Sequence, residues 1–276
     1  MNHRSSVAMA AALVALTACA STVDVPPLRP FAFLDLNTLT ASARPSGFVA
    51  KGTALFTQAR ITGVIGSGSL PEGCQQPAKI VPLSVRTTSP FEPGSVTLSL
   101  HGNVDTTTRT VPLLEKQTTQ GEAYWTNDSL PNFAPGSDTV TFKAAGNPGG
   151  FPPFSVRAAT VQTFTPQPVD DSVTGTGIRV QWTPSPNPST AMQISLQYTD
   201  SASTTGYPNM EIVCIARDDG DFTINRTFLE PWERAGVDSL HVHRGVAFSR
   251  FLTTTSQVGD GFVTVVVRRD TTIVKE

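Results

Sequence analysis

The feature that most limits what this chain can fold into is a period of two. Val96, Leu98 and Leu100 alternate with Ser95, Thr97 and Ser99; Ile178, Val180 and Trp182 alternate with Arg179, Gln181 and Thr183. Met192, Ile194, Leu196 and Tyr198 do the same against Gln193, Ser195, Gln197 and Thr199. Successive side chains of a strand point to opposite faces, so this spacing predicts half-buried strands. Phe262-Val263-Thr264-Val265-Val266-Val267 is more continuously apolar and predicts a strand buried on both faces. Between such runs stand turn formers at intervals of about ten residues, as in a sandwich joined by hairpins. They include Pro93-Gly94, Pro135-Gly136, Asn147-Pro148-Gly149-Gly150, Pro184 to Pro188, and Asp218-Asp219-Gly220-Asp221, the last read as a tight hairpin. The 37 threonines, 22 prolines and 21 glycines serve the same pattern, since Thr favours strands while Pro and Gly end elements. Only Thr227 to Gly236 has helical character, and Pro231 within it predicts one short capping turn. The fold class is all-β.

The first twenty residues set the compartment. Met1-Asn2-His3-Arg4 precedes an apolar run from Val7 to Leu16, too short for the roughly 20 residues that span a bilayer, and so reads as a cleaved signal. It ends in Leu16-Thr17-Ala18-Cys19, which resembles the lipobox of bacterial lipoproteins. The resemblance implies that Cys19 is acylated and becomes the first residue of the mature protein, with the membrane as partner through its acyl chains. The residue after it is Ala20 rather than Asp, which by the same resemblance implies the outer membrane if the cell has two. An ordinary secretory signal cut after Ala20 is the rival, since Ala18-Cys19-Ala20 is also small-x-small. Removing residues 1–18 takes away one charged side chain, Arg4, and moves the formal charge from −2 to −3. With 15% charged residues and no basic excess, neither nucleic-acid binding nor attraction to anionic lipid is expected.

Export leaves two further cysteines, Cys74 and Cys214, in an oxidising setting, where a leftover pair is expected to form a disulfide. Cys214 shares a strand face with Met210, Ile212 and Ala216 and therefore points inward, which leaves a buried free thiol as the alternative.

The order along the chain is a signal at 1–18, a lipidated tether at 19–45, a first β-sandwich at 46–163 and a second at 164–276. The tether holds the burst Phe31-Ala32-Phe33-Leu34, long enough for one strand, and the polar stretch Phe164 to Gly177 divides the halves. Ile178-Arg179-Val180-Gln181-Trp182 followed by Leu196-Gln197-Tyr198 resembles the early strands of a fibronectin type III domain, which implies Ig-like sandwiches. No later tyrosine stands where such domains form their corner.

Groups for catalysis are scarce. His101, His241 and His243 are the only histidines after the signal, and there is no G-x-S-x-G elbow, H-E-x-x-H pair or phosphate-binding loop. His241 and His243 share a strand face, but two ligands do not make a metal site, so no metal or cofactor is expected. Tyr124-Trp125-Thr126-Asn127-Asp128 supplies the candidate ligand contacts, Trp125 and Asp128: an aromatic face covers sugar C–H groups and a carboxylate takes hydroxyls. Trp232 and Tyr207 are the other rings whose exposure bears on this. The expectation is a non-catalytic envelope lipoprotein that binds a protein or glycan partner or builds a surface assembly. A carbohydrate-binding module and an unrecognised envelope hydrolase, its carboxylates meeting from distant strands, are the alternatives.

Overall fold

The computed structural model describes residues 28–39, 49–59, 67, 70–79, 91–101, 108–117, 123–130, 139–169, 175–199, 209–237 and 244–275. Within them the chain is all-β with one helix. Strands β1 (Arg29–Leu39), β2 (Val49–Ala59), β3 (Gly73–Cys74), β4 (Ala78–Lys79), β5 (Val96–His101), β6 (Thr108–Gln117), β7 (Ala123–Leu130), β8 (Thr139–Ala144) and β9 (Phe154–Ala159) make the first half. Strands β10 (Gly177–Gln181), β11 (Ala191–Tyr198), β12 (Met210–Arg217), β13 (Asp221–Asn225), helix α1 (Arg226–Val237), and β14 (Arg244–Val258) and β15 (Gly261–Lys275) follow.

Thirteen strands form one mixed sheet in the order β3-β12-β11-β14-β15-β1-β2-β7-β6-β5-β8-β9, with β4 also on β12; β10 and β13 form a second, two-stranded sheet. Buried side chains gather in two core clusters, and a single large sheet spans both where two separate Ig-like sandwiches were expected. One gathers Leu34, Leu36, Phe56, Leu98, Trp125, Phe142, Phe151, Val263 and Val265. The other gathers Ile178, Val180, Trp182, Met192, Ile194, Leu196, Cys214, Trp232 and Phe248. The large sheet runs through both, because the long hairpin β14–β15 gives Val246 and Phe248 to the second cluster and Val263, Val265 and Val267 to the first.

The stretch read as tether holds an eleven-residue strand. β1 pairs antiparallel with β2 and parallel with β15, so the first described strand is flanked by the last. Its polar residues are carried by partners: the Asp35 carboxylate accepts from Arg268 Nε and Nη2 at 3.0 Å each, and Asn37 donates to Asp270 at 2.7 Å.

Three other expectations change. Within Phe262–Val267 only Val263, Val265 and Val267 are buried, while Phe262, Thr264 and Val266 are half-buried, so one face is in the core and not both. The Asp218–Asp221 segment is not a hairpin: β12 belongs to the large sheet and β13 to the small one, and Asp218 to Gly220 turns the corner between them. Apolar alternation on both flanks suits two strands facing each other across a core as well as two strands side by side. Gly220, at φ 100°, is held at that corner because a Cβ would lie 2.9 Å from the Trp182 carbonyl oxygen. Finally, α1 is a helix of twelve residues rather than one turn. Asn225 caps it by accepting from Thr227 N–H, and fully buried Leu229 and Trp232 outweigh the backbone bond that Pro231 removes.

Candidate functional site

The sequence candidates do not converge. Cys19, His241, His243 and Tyr207 lie outside the described residues. Trp125, on β7, is 4% exposed and meets Phe56 edge-on, with centroids 5.1 Å apart. Its ring is part of the first core, which takes it out of reach of a surface sugar. Asp128 is three residues further along the same strand, where the β2–β7 register shifts. Trp232 is also a core side chain, with Arg244 stacked over its ring at 4.5 Å.

Cys74 and Cys214 are joined, 140 residues apart in sequence. They sit opposite each other in the antiparallel β3–β12 pair, and the neighbouring Gln75 N–H donates to the Val213 carbonyl at 2.8 Å. The inward face read for Cys214 holds, since Ile212, Cys214 and Ala216 are buried. A short strand is thereby fastened to the edge of the large sheet, beside the second core.

The densest polar centre was not singled out by sequence. Arg250 stands on β14 with the parity of Val246, Phe248 and Leu252, and it is 0% exposed. A charge on core parity inside an apolar run is the signal that could have marked it. Its guanidinium faces Asp218 at the end of β12: Nη2 donates to Oδ1 at 2.9 Å, and Nε lies 2.7 Å from Oδ2. The same carboxylate accepts from Trp182 Nε1 at 2.8 Å and from Thr190 Oγ1 at 2.7 Å. Arg250 also donates to the carbonyls of Thr163 at 3.1 Å and of Thr183, and Phe164 covers it at 5.0 Å. Buried charge is tolerated only when paired and hydrogen-bonded, and this network meets that condition for both partners. Its members come from β14, the corner that follows β12, and the segments 160–166 and 182–190. It therefore ties the segments around the second core to the sheet.

Arg269, directly across the β14–β15 ladder from Arg250, is held down to about 10 by burial and by the Arg250 charge. Burial lifts the Asp35 carboxyl above its ordinary value, against the opposing pull of Arg268. On the surface, Arg179 and Asp221 form a bidentate pair that lowers the Asp221 carboxyl.

Two hollows flank the buried network. One, of about 400 Å³, is lined by Leu70, Pro186, Thr190, Ala216 and Asp218 among others. A larger open groove of about 710 Å³ lies between the C-terminal part of β9 and the segment Leu252–Thr255 of β14, with Asn187 to Ser189 at one end. Ser67 lines both. Its hydroxyl donates to the Ser189 carbonyl at 2.5 Å and accepts from Thr253 N–H at 3.0 Å. The walls mix polar and apolar surface in similar measure, with hydroxyls and backbone among the polar groups, a lining suited to binding.

Among the described residues no group of three or more His, Cys, Asp or Glu is placed to hold a metal ion, and no helix is long and apolar enough to cross a membrane. No protein-family model matches the chain, and no curated protein is similar to it in sequence.

Proposed function

We propose that this chain is a cell-envelope lipoprotein, anchored through an acylated Cys19, that works by surface contact with a partner rather than by turnover. The Cys74–Cys214 disulfide carries the reading. It uses the two cysteines that remain beyond the lipobox-like Leu16-Thr17-Ala18-Cys19, and such bonds persist in exported proteins while cytosolic thiols are kept reduced. Eight residues lie between Cys19 and Leu28, enough for about 30 Å of chain at full reach between an anchor and the first strand. Stable anchoring takes at least two acyl chains, each buried methylene contributing about 0.8 kcal/mol. The outer membrane is the expected site in a two-membrane cell. The buried charges described above hold strands together and the open hollows present hydroxyls and backbone, an arrangement suited to binding. The burial of Trp125 favours a protein partner over a glycan stacked on that ring.

The test is Cys19→Ser, followed by membrane fractionation and mass measurement of the mature N-terminus. The expected outcome is loss of the diacylglycerol mass and release from the membrane fraction. A variant that is processed as before and stays with membranes refutes the anchor.

A further inference from the structure

We propose that the groove between β14 and β9 is a strand-addition site, which takes an extended segment of a partner protein along the open edge of β14. The proposal deepens the reading of the chain as a protein-binding module and rests on it, but not on the lipid anchor.

The backbone geometry carries the argument. The β14–β15 hairpin closes with Val258 opposite Gly261 across the two residues Gly259 and Asp260. In such a hairpin the closing pair exchanges hydrogen bonds, and residues alternate from there. Ser256, Thr254 and Leu252 therefore bond to β15, while Gln257, Thr255, Thr253 and Phe251 direct N–H and C=O to the other side. One observation agrees with this phase: Thr253 N–H is the group that reaches Ser67 Oγ.

β11 accompanies β14 only as far as Ala191 opposite Phe251; residues 187–190 then turn away and become one end of the groove. Beyond that point, among the described residues, β15 is the only strand paired with β14. Ser67 occupies the first vacated position, and the main-chain groups of Thr255 and Gln257 come next along the same edge. β9, last in the sheet order, borders the groove from the opposite side.

Open edges are usually blunted by Lys, Pro or a bulge. Leu252-Thr253-Thr254-Thr255-Ser256-Gln257-Val258 has none of these, and its register with β15 is unbroken. Main-chain pairing gives affinity in strand addition, and alternate side chains give selectivity. Here Leu252 and Ala158 offer an apolar wall. Arg157, whose guanidinium bonds to the Thr139 hydroxyl, offers a positive charge. The segment that fits is extended, small or apolar at every second residue, and carries a carboxylate.

The full exported protein, purified from the envelope, is panned against a displayed library of random ten-residue peptides, and the selected sequences are synthesised. They are expected to be enriched in Asp and Glu, to bind at micromolar concentration, and to slow hydrogen exchange at Thr255 and Gln257 at least tenfold. Gln257→Pro removes an edge N–H at an exposed position; Thr255→Pro does so one step inward, while Thr255→Val keeps the N–H and removes only the hydroxyl. Either proline variant is expected to weaken binding at least tenfold, and the valine variant to leave it within twofold. A library without binders, unchanged affinity in both proline variants, or edge amides already slow in the free monomer overturns the proposal. Self-association abolished by Gln257→Pro also overturns it, in favour of a second copy of this chain.

Discussion

Replacing Asp218 by Ala is the sharpest probe of how the segments around the second core are held together. The change removes a carboxylate that pairs with fully buried Arg250 and accepts from Trp182 Nε1 and Thr190 Oγ1. Breaking a buried pair from one side costs about 3–5 kcal/mol, because the remaining charge keeps its desolvation penalty without its counter-ion. An orphaned buried donor costs about 1–3 kcal/mol, and one is created here, Trp182 Nε1, since the Thr190 hydroxyl keeps the Asn187 carbonyl at 2.8 Å. The carbonyls of Thr163 and Thr183 still hold Arg250, which offsets part of this. A net loss of about 5 kcal/mol is expected, a large fraction of the roughly 5–15 kcal/mol that folded domains possess. Urea unfolding followed by tryptophan fluorescence measures it, since Trp182 reports directly on the site. The double variant Asp218→Leu with Arg250→Met removes both charges and is expected to recover most of the loss. A single variant that loses less than about 1.5 kcal/mol, or a double variant no more stable than the single, refutes the reasoning.

Other outcomes follow from separate features. Trp125→Ala is expected to destabilise the protein by about 3–5 kcal/mol, as a core truncation does, with no selective effect on glycan binding; equilibrium unfolding and a glycan array check the two halves of that statement. Reducing Cys74–Cys214 is expected to cost about 5 kcal/mol on the chain-entropy account for a 140-residue separation, read as a lower urea midpoint with reductant present. Because burial raises the Asp35 carboxyl, the folded state holds that proton more tightly than the unfolded state does. Its contribution to stability is then complete below the unfolded value of 3.8 and declines as pH rises from there through the raised folded value. Asp35→Asn is expected to remove that component of the slope in a pH series of unfolding curves.

The strand content and its burial parity were legible in the sequence because both depend on nearest neighbours in the chain. Val96, Leu98 and Leu100, or Ile212, Cys214 and Ala216, point inward as their alternation requires. The pairing of Cys74 with Cys214 was legible by a count, because they are the only cysteines in the sequence beyond Cys19. What the sequence did not disclose is which strand lies beside which. Asp35 and Asn37 read as tether residues until Arg268 and Asp270, more than 230 positions away, lie within hydrogen-bond reach. Asp218 read as a turn residue, and Arg250 went unmarked, because each derives its meaning from the other across the sheet. Local alternation fixes the face of a side chain, while the partner at that face is chosen by the register of strands distant in sequence. The open edge of β14 arises in the same way: its composition belongs to the sequence, but only the tertiary structure decided that β11 ends opposite Phe251 and that, among the described strands, β15 alone pairs with the remainder.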